Sequence, residues 1–156
     1  MKRVMELTVF SRPQPLRRAR HTLKNGIHRT YLHPKDAGYR AEIIEAYQRE
    51  FWSGERVEEV MFPKGVVLAA SLVAHVACPS SIGPRKRVQG RAGWPQGRDG
   101  DLDNIEKAVW DALKGFAYWD DKQIVMHKPP FMVLYAFDQR TGADLPPHLY
   151  VRLEEL

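Results

Sequence analysis

Three aspartates and a lysine in the second half of the chain are the residues whose types and spacing suit chemistry. Asp101-Leu102-Asp103-Asn104 opens an apolar-periodic segment, Lys107 and Asp111 follow at one-turn intervals, and Asp120-Asp121 comes after it. In an extended stretch, residues two apart face the same side, so Asp101 and Asp103 can offer two carboxylates to one cation. Mg²⁺ prefers oxygen ligands and keeps several waters, so two or three aspartates suffice to hold it beside a phosphodiester. A helix start there adds free N–H groups and partial positive charge, which suit a phosphate. If the segment after the helix runs back antiparallel to it, Asp121 returns to the helix start and completes a three-carboxylate metal site beside Lys107. Two ions about 4 Å apart would clamp the attacking and leaving oxygens of an in-line displacement. The lysine ammonium would neutralise charge on the non-bridging oxygens.

The same residues have purely structural readings. Asp103 with Glu106 three residues on resembles a capping box. Asp121 suits a turn, and Lys107 with Asp111 makes an exposed helix pair worth about 0.3–0.5 kcal/mol. A calcium loop is excluded, although Asp99, Asp101 and Asp103 match its first three ligand spacings. Asn104 stands where its glycine belongs, and Trp110 where its glutamate belongs.

Charge is unevenly spread. The chain of 156 residues carries 24 Lys and Arg against 19 Asp and Glu, a net of +5. Residues 1–40 have a net of +8 and residues 78–98 a net of +5, whereas residues 99–121 have a net of −5. Two basic segments flanking an acidic one fit a polyanionic partner and a divalent cation. Arg12, Arg17, Arg18, Arg20, Arg85, Lys86, Arg87, Arg91 and Arg98 are the candidate phosphate contacts, the alternative for each being an ordinary soluble surface. Trp94 reads as a loop anchor, with stacking on an unpaired base as the alternative. Trp110 and Trp119 read as packed or at a dimer interface. His75 and Cys78 read as strand-end residues, since two ligands do not make a structural zinc site.

The elements that must position these groups follow from periodicity. Val4–Phe10 alternates as a strand, and Ser11–Leu23, with two prolines and four arginines, reads as a loop. Asn25-Gly26 marks a hairpin turn into a strand over Ile27–Leu32. Pro34 precedes a helix with Asp36 as N-cap and Gly54 as stop, its apolar side formed by Tyr39, Ile43, Ile44, Tyr47 and Phe51. Val66–Ala77 is apolar enough for a central strand, and residues 79–100 form a long basic loop. Asp103–Phe116 is the clearest helix, with Ile105, Ala108, Val109, Ala112, Leu113 and Phe116 in one stripe and Gly115 at its end. Gln123–Met126 and Phe131–Phe137 read as two strands split by Pro129-Pro130, and His148–Leu153 as the last. The sum is a single α+β domain over residues 1–156, a mixed sheet packed with two main helices. No run approaches the roughly 18 apolar residues that span a bilayer, so no membrane partner is expected. A single cysteine and the lack of an export signal after Met-Lys-Arg point to a cytoplasmic protein.

Residues 101–125, DLDNIEKAVWDALKGFAYWDDKQIV, resemble the signature of RusA-type Holliday junction resolvases. Its elements are Asp-x-Asp-Asn, a lysine four residues after the second aspartate, Asp-Ala-Leu, and Asp-Asp-x-Gln. Gly100 stands where such sequences often carry proline. The resemblance implies a RusA-like fold and a Mg²⁺-dependent, homodimeric endonuclease (Mn²⁺ being the other hard cation to consider) that nicks four-way DNA junctions symmetrically. It assigns Asp101, Asp103, Asp121 and Lys107 as the catalytic set. The alternatives are a broader nuclease acting on flaps and forks, and a catalytically silent protein that binds junction DNA.

Overall fold

A computed structural model of the chain describes residues 1–17, 20–52 and 60–156. Its centre is a four-stranded mixed sheet built from β1 (Val4–Val9), β4 (Leu68–Ala77), β5 (Ile124–Ala136) and β6 (His148–Glu155). The spatial order is β1-β6-β4-β5; β6 runs antiparallel to both β1 and β4, while β4 and β5 are parallel. β4 is the central apolar strand expected from its composition, buried at eight of ten positions. β1 and β6 alternate instead, Met5, Leu7, Leu149, Val151 and Leu153 entering the core and Glu6, Thr8 and Arg152 leaving it.

Two helices cover the buried face. α1 (Pro34–Phe51) packs Tyr39, Ile43 and Tyr47 inward, and α3 (Leu102–Leu113) packs Ile105, Val109, Ala112 and Leu113. Each fully buried aliphatic of this kind stabilises the fold by about 1.5–3 kcal/mol. The α+β class, the mixed sheet and the two main helices agree with the sequence reading.

Four details differ from it. The loop expected over Ser11–Leu23 gives way at Arg20 to β2 (Arg20–Lys24), which pairs with β3 (Ile27–Tyr31). Asn25 and Gly26 both hold positive φ, 54° and 74°, as a two-residue hairpin turn requires, and such a turn needs a strand on each side. α1 is capped by the His33 side chain, which accepts from the Lys35 N–H; Asp36 lies inside the first turn, buried, where it accepts from the Arg17 N–H. The proposed Gly54 stop lies outside the described residues. The two strands expected around Pro129-Pro130 are one strand, β5. It lies at the sheet edge, where prolines without N–H groups are tolerated, and the register slips opposite Ser71 to absorb them. The loop over residues 79–100 contains the short helix α2 (Pro84–Val88) and a 3₁₀ turn over Gly97–Gly100. Among the described residues, no helix is long and apolar enough to cross a membrane.

Candidate nuclease site

α3 forms where it does because Asp101, rather than Asp103, is its N-cap. The Asp101 carboxylate accepts from the Asn104 backbone N–H at 3.3 Å and from the Asn104 side-chain amide at 2.6 Å. Asn104 thereby orients Asp101. Asp103, in the first turn, is exposed, and the Lys107 ammonium donates to it at 3.0 Å. The hydrogen bond and charge of Asp103 hold the Lys107 pKa above the usual lysine value, so its ammonium is positive at neutral pH. Two carboxylates and one ammonium thus share the first two turns of α3, next to the helix's free N–H groups.

Asp121 does not join them. The chain leaves α3 at Lys114, turns through Gly115 at φ +82°, and enters β5 through a 3₁₀ turn. Asp121 stays at that C-terminal end, where Lys114 Nζ donates to its Oδ2 at 3.3 Å. The buried Tyr118 hydroxyl lies 2.8 Å from the Trp110 carbonyl and 3.4 Å from Asp121 Oδ1; burial, then the Asp121 charge, raises its pKa. The eleven residues from Asp103 to Lys114 separate the two ends by about 16 Å along the helix. Among the described residues no three His, Cys, Asp or Glu side chains converge as a metal cage. The expected meeting of Asp121 with Asp101 and Asp103 is therefore not made within one chain. Asp103, Lys107, Asp111 and Lys114 instead form a stripe along α3, with Asp121 at its far end. Asp101 and Asp103 still fit a hard cation that keeps most of its water, because both are oxygen donors within three residues of each other.

Sequence reasoning gave Gln123 no role, yet it holds the Asp120-Asp121 turn in place. Its amide donates to the carbonyls of Pro63 and Val66 at 2.9 and 3.0 Å and accepts from the N–H groups of Trp119 and Asp120. Asp120 and Gln123 make a capping box, visible in the sequence as Asp-x-x-Gln. Gly100, just before the signature, is required by space. A Cβ there would come within 2.4 Å of the Pro95 carbonyl oxygen.

The basic candidates divide. Arg12 is exposed and reaches Asp99 at 3.7 Å, and Arg17 donates to the His33 ring at 2.7 Å. The Leu16 N–H donates to the Asn104 carbonyl, tying this basic loop to the start of α3. Arg85, Lys86 and Arg91 are exposed. Arg87 is not available to DNA: it is 4% exposed, and its guanidinium donates to the Ile82 and Gly142 carbonyls and to Asp144. Arg18 lies outside the described residues, as do the side chains of Arg20 and Arg98. Trp94 is 65% exposed in the basic loop rather than packed as an anchor, and Trp119 is exposed too, whereas Trp110 is packed.

No curated protein matches the chain. The model of the family described as Endodeoxyribonuclease RusA matches residues 11–142. That span takes in the basic loop, both main helices, the whole signature and β5, so the chain belongs to the RusA family of endodeoxyribonucleases, hydrolases that act on DNA.

Proposed function

We propose that the protein resolves four-way DNA junctions by paired symmetric nicks, as a Mg²⁺-dependent homodimer. The observation that carries this reading is the grouping of Asp101, Asp103 and Lys107 at the α3 N-terminus of a RusA-family chain. Asp101 and Asp103 would hold the ion, with Asn104 keeping the Asp101 carboxylate oriented. When bound, such an ion lowers the pKa of a coordinated water and draws charge off phosphoryl oxygens. Lys107 then neutralises the charge that builds on the non-bridging oxygens as water attacks phosphorus and one ester bond breaks. Asp121 stays in the proposed catalytic set as the acid closing the α3 stripe. Arg12, Arg17, Arg85, Lys86 and Arg91 supply backbone contacts whose strength falls with salt. Two nicks at symmetry-related strands call for two copies around a two-fold axis.

The test is cleavage of a labelled mobile junction with and without Mg²⁺, beside linear duplex and flap controls. Paired nicks on the junction alone, lost in chelator, are expected. Equal cutting of flaps would replace this reading with that of a broader nuclease. Tight binding without cutting at any Mg²⁺ or Mn²⁺ concentration would leave a DNA-binding protein.

A further inference from the structure

A cavity of about 210 Å³ opens between α1, α3 and the basic loop over residues 11–17, directly beside the α3 stripe. It is small against the roughly 300–1,000 Å³ of pockets for drug-sized ligands, and of a size for one heterocyclic ring system. Leu16, the Tyr39 ring and Ala108 form apolar walls. Asp36 lines it as a buried carboxylate with only one oxygen engaged among the described residues, by the Arg17 N–H. Asp111 and Lys114, both from the stripe, stand at its α3 side. Apolar walls with two carboxylates, Asp36 and Asp111, and two cations, Arg40 and Lys114, suit a nucleobase, whose faces stack and whose edge both donates and accepts hydrogen bonds.

Two further features point to an occupant. The Tyr39 hydroxyl is buried without a hydrogen-bond partner among the described residues: the Gln14 backbone N–H beside it is itself a donor, and the nearby Glu42 carboxylate accepts from Ser11 instead. Leaving such a group unpaired costs about 1–3 kcal/mol, which an acceptor brought from outside would remove. Second, Gln14 and Tyr39 also line a neighbouring open cleft that carries Arg12, Arg17 and Lys35. That cleft also holds Asp99, which pairs loosely with Arg12 at 3.7 Å, and Glu42, which accepts from Ser11, so its three cations outnumber its acids by one. A base cavity and a basic cleft that share one wall provide for the two ends of a nucleotide.

We infer that the α1–α3 cavity receives a single nucleobase extruded from the DNA at the branch point, its flanking phosphates lying over Arg12, Arg17 and Lys35. The inference rests on the nuclease reading above and adds to it how the enzyme senses a branch. Bases at an exchange point are the least costly to unstack, so a site that must be filled favours branched over continuous duplex. Asp36 and Asp111 accept from an exocyclic amino group while Arg40 and Lys114 donate to ring nitrogens or carbonyls, so an amino-bearing base uses more of the lining than thymine, which offers a single ring N–H.

The test uses 2-aminopurine, which fluoresces when unstacked and carries the amino group, placed at each nucleotide flanking the crossover of an immobile junction in turn. Protein is added in chelator, so that binding is read without cutting. A fluorescence rise at one position per strand is expected with the natural chain. It should be abolished in Ala108→Leu, which fills the cavity, and reduced by roughly five-fold in Tyr39→Phe, which removes one hydrogen bond. Both variants are compared at saturating protein and checked by thermal melting; if Ala108→Leu does not fold, Tyr39→Phe decides alone. Junction binding with no rise at any position, or a rise unchanged in a folded variant, overturns the cavity's role and leaves the nuclease reading intact. Failure of the natural chain to bind branched DNA at all overturns both.

Discussion

At the scale of single residues, substitution can separate the observed capping role of Asp101 from its proposed role as a metal ligand. Asparagine caps a helix about as well as aspartate, so Asp101→Asn should melt like the natural protein while cleavage falls. Loss of even outer-shell partners of a bound metal typically costs 10–100-fold, so a ligand's loss should cost at least about 100-fold. Asp101→Ala should add a stability loss of about 1 kcal/mol for the missing cap. Asp103→Asn should abolish cleavage, keep junction binding and leave the melting temperature nearly unchanged, since its exposed ion pair with Lys107 contributes little. Gel-shift, cleavage and melting data on the three variants check this, and full cleavage by Asp101→Asn would reduce that residue to a cap. The signature residues were legible in the sequence because their spacing is local: Asp101, Asp103 and Lys107 lie within two helical turns. The position of Asp121 was not, because it depends on where the chain goes after Gly115. A helix twelve residues long keeps its two ends apart unless the following segment doubles back along it.

At the scale of elements, the second basic segment turns out to be part scaffold and part surface. Arg87 fastens α2 to the turn between β5 and β6, and Arg87→Ala leaves two carbonyls and Asp144 without their donor. The expected cost is about 2–4 kcal/mol in denaturant unfolding. Arg91→Ala should leave stability within about 0.5 kcal/mol, yet lower the slope of log affinity against log salt by about 0.9 if it contacts one phosphate. Sequence could not sort these arginines, because a charge count does not say which side of a five-residue helix faces the fold. The sheet holds a pH-sensitive pair. His75 on β4 and His148 on β6 stack with ring centroids 4.0 Å apart, and burial, with the His148 charge, lowers the His75 pKa from 6.5 to about 4. Between those values the unfolded chain binds a proton that the folded chain refuses, so stability should fall as pH drops through that window. With the ring about half buried, the loss at pH 5 should be about 1 kcal/mol after allowance for solvent screening. In His75→Phe this part of the pH dependence of the melting temperature should vanish. The alternating strands β1 and β6 and the apolar strand β4 were readable from their patterns. β5 was not, because its edge position, the reason its prolines are allowed, is a property of the whole sheet.

At the scale of the whole molecule, the charge map set the class of partner and the fold arranges it. The basic loop over residues 11–17 is tied through Leu16 to the start of α3, so positive charge borders the acidic stripe although the two are some ninety positions apart in sequence. If the working enzyme is a two-fold dimer, both strands of one junction should be nicked within the lifetime of one complex only at protein concentrations where the chain sediments as a dimer. Nicks that stay paired on a sedimenting monomer would remove the dimer from the proposal. The close approach of Gly100 to Pro95 bears on how such enzymes can be recombined. The end of the basic loop and the acidic signature meet there with no room for a side chain, so a homologous enzyme with proline at this point must route its loop by another path. A chimera joined between residues 95 and 101 would set two incompatible paths against each other. Loop and signature can be exchanged between relatives only as one cassette, with the crossover points placed outside it.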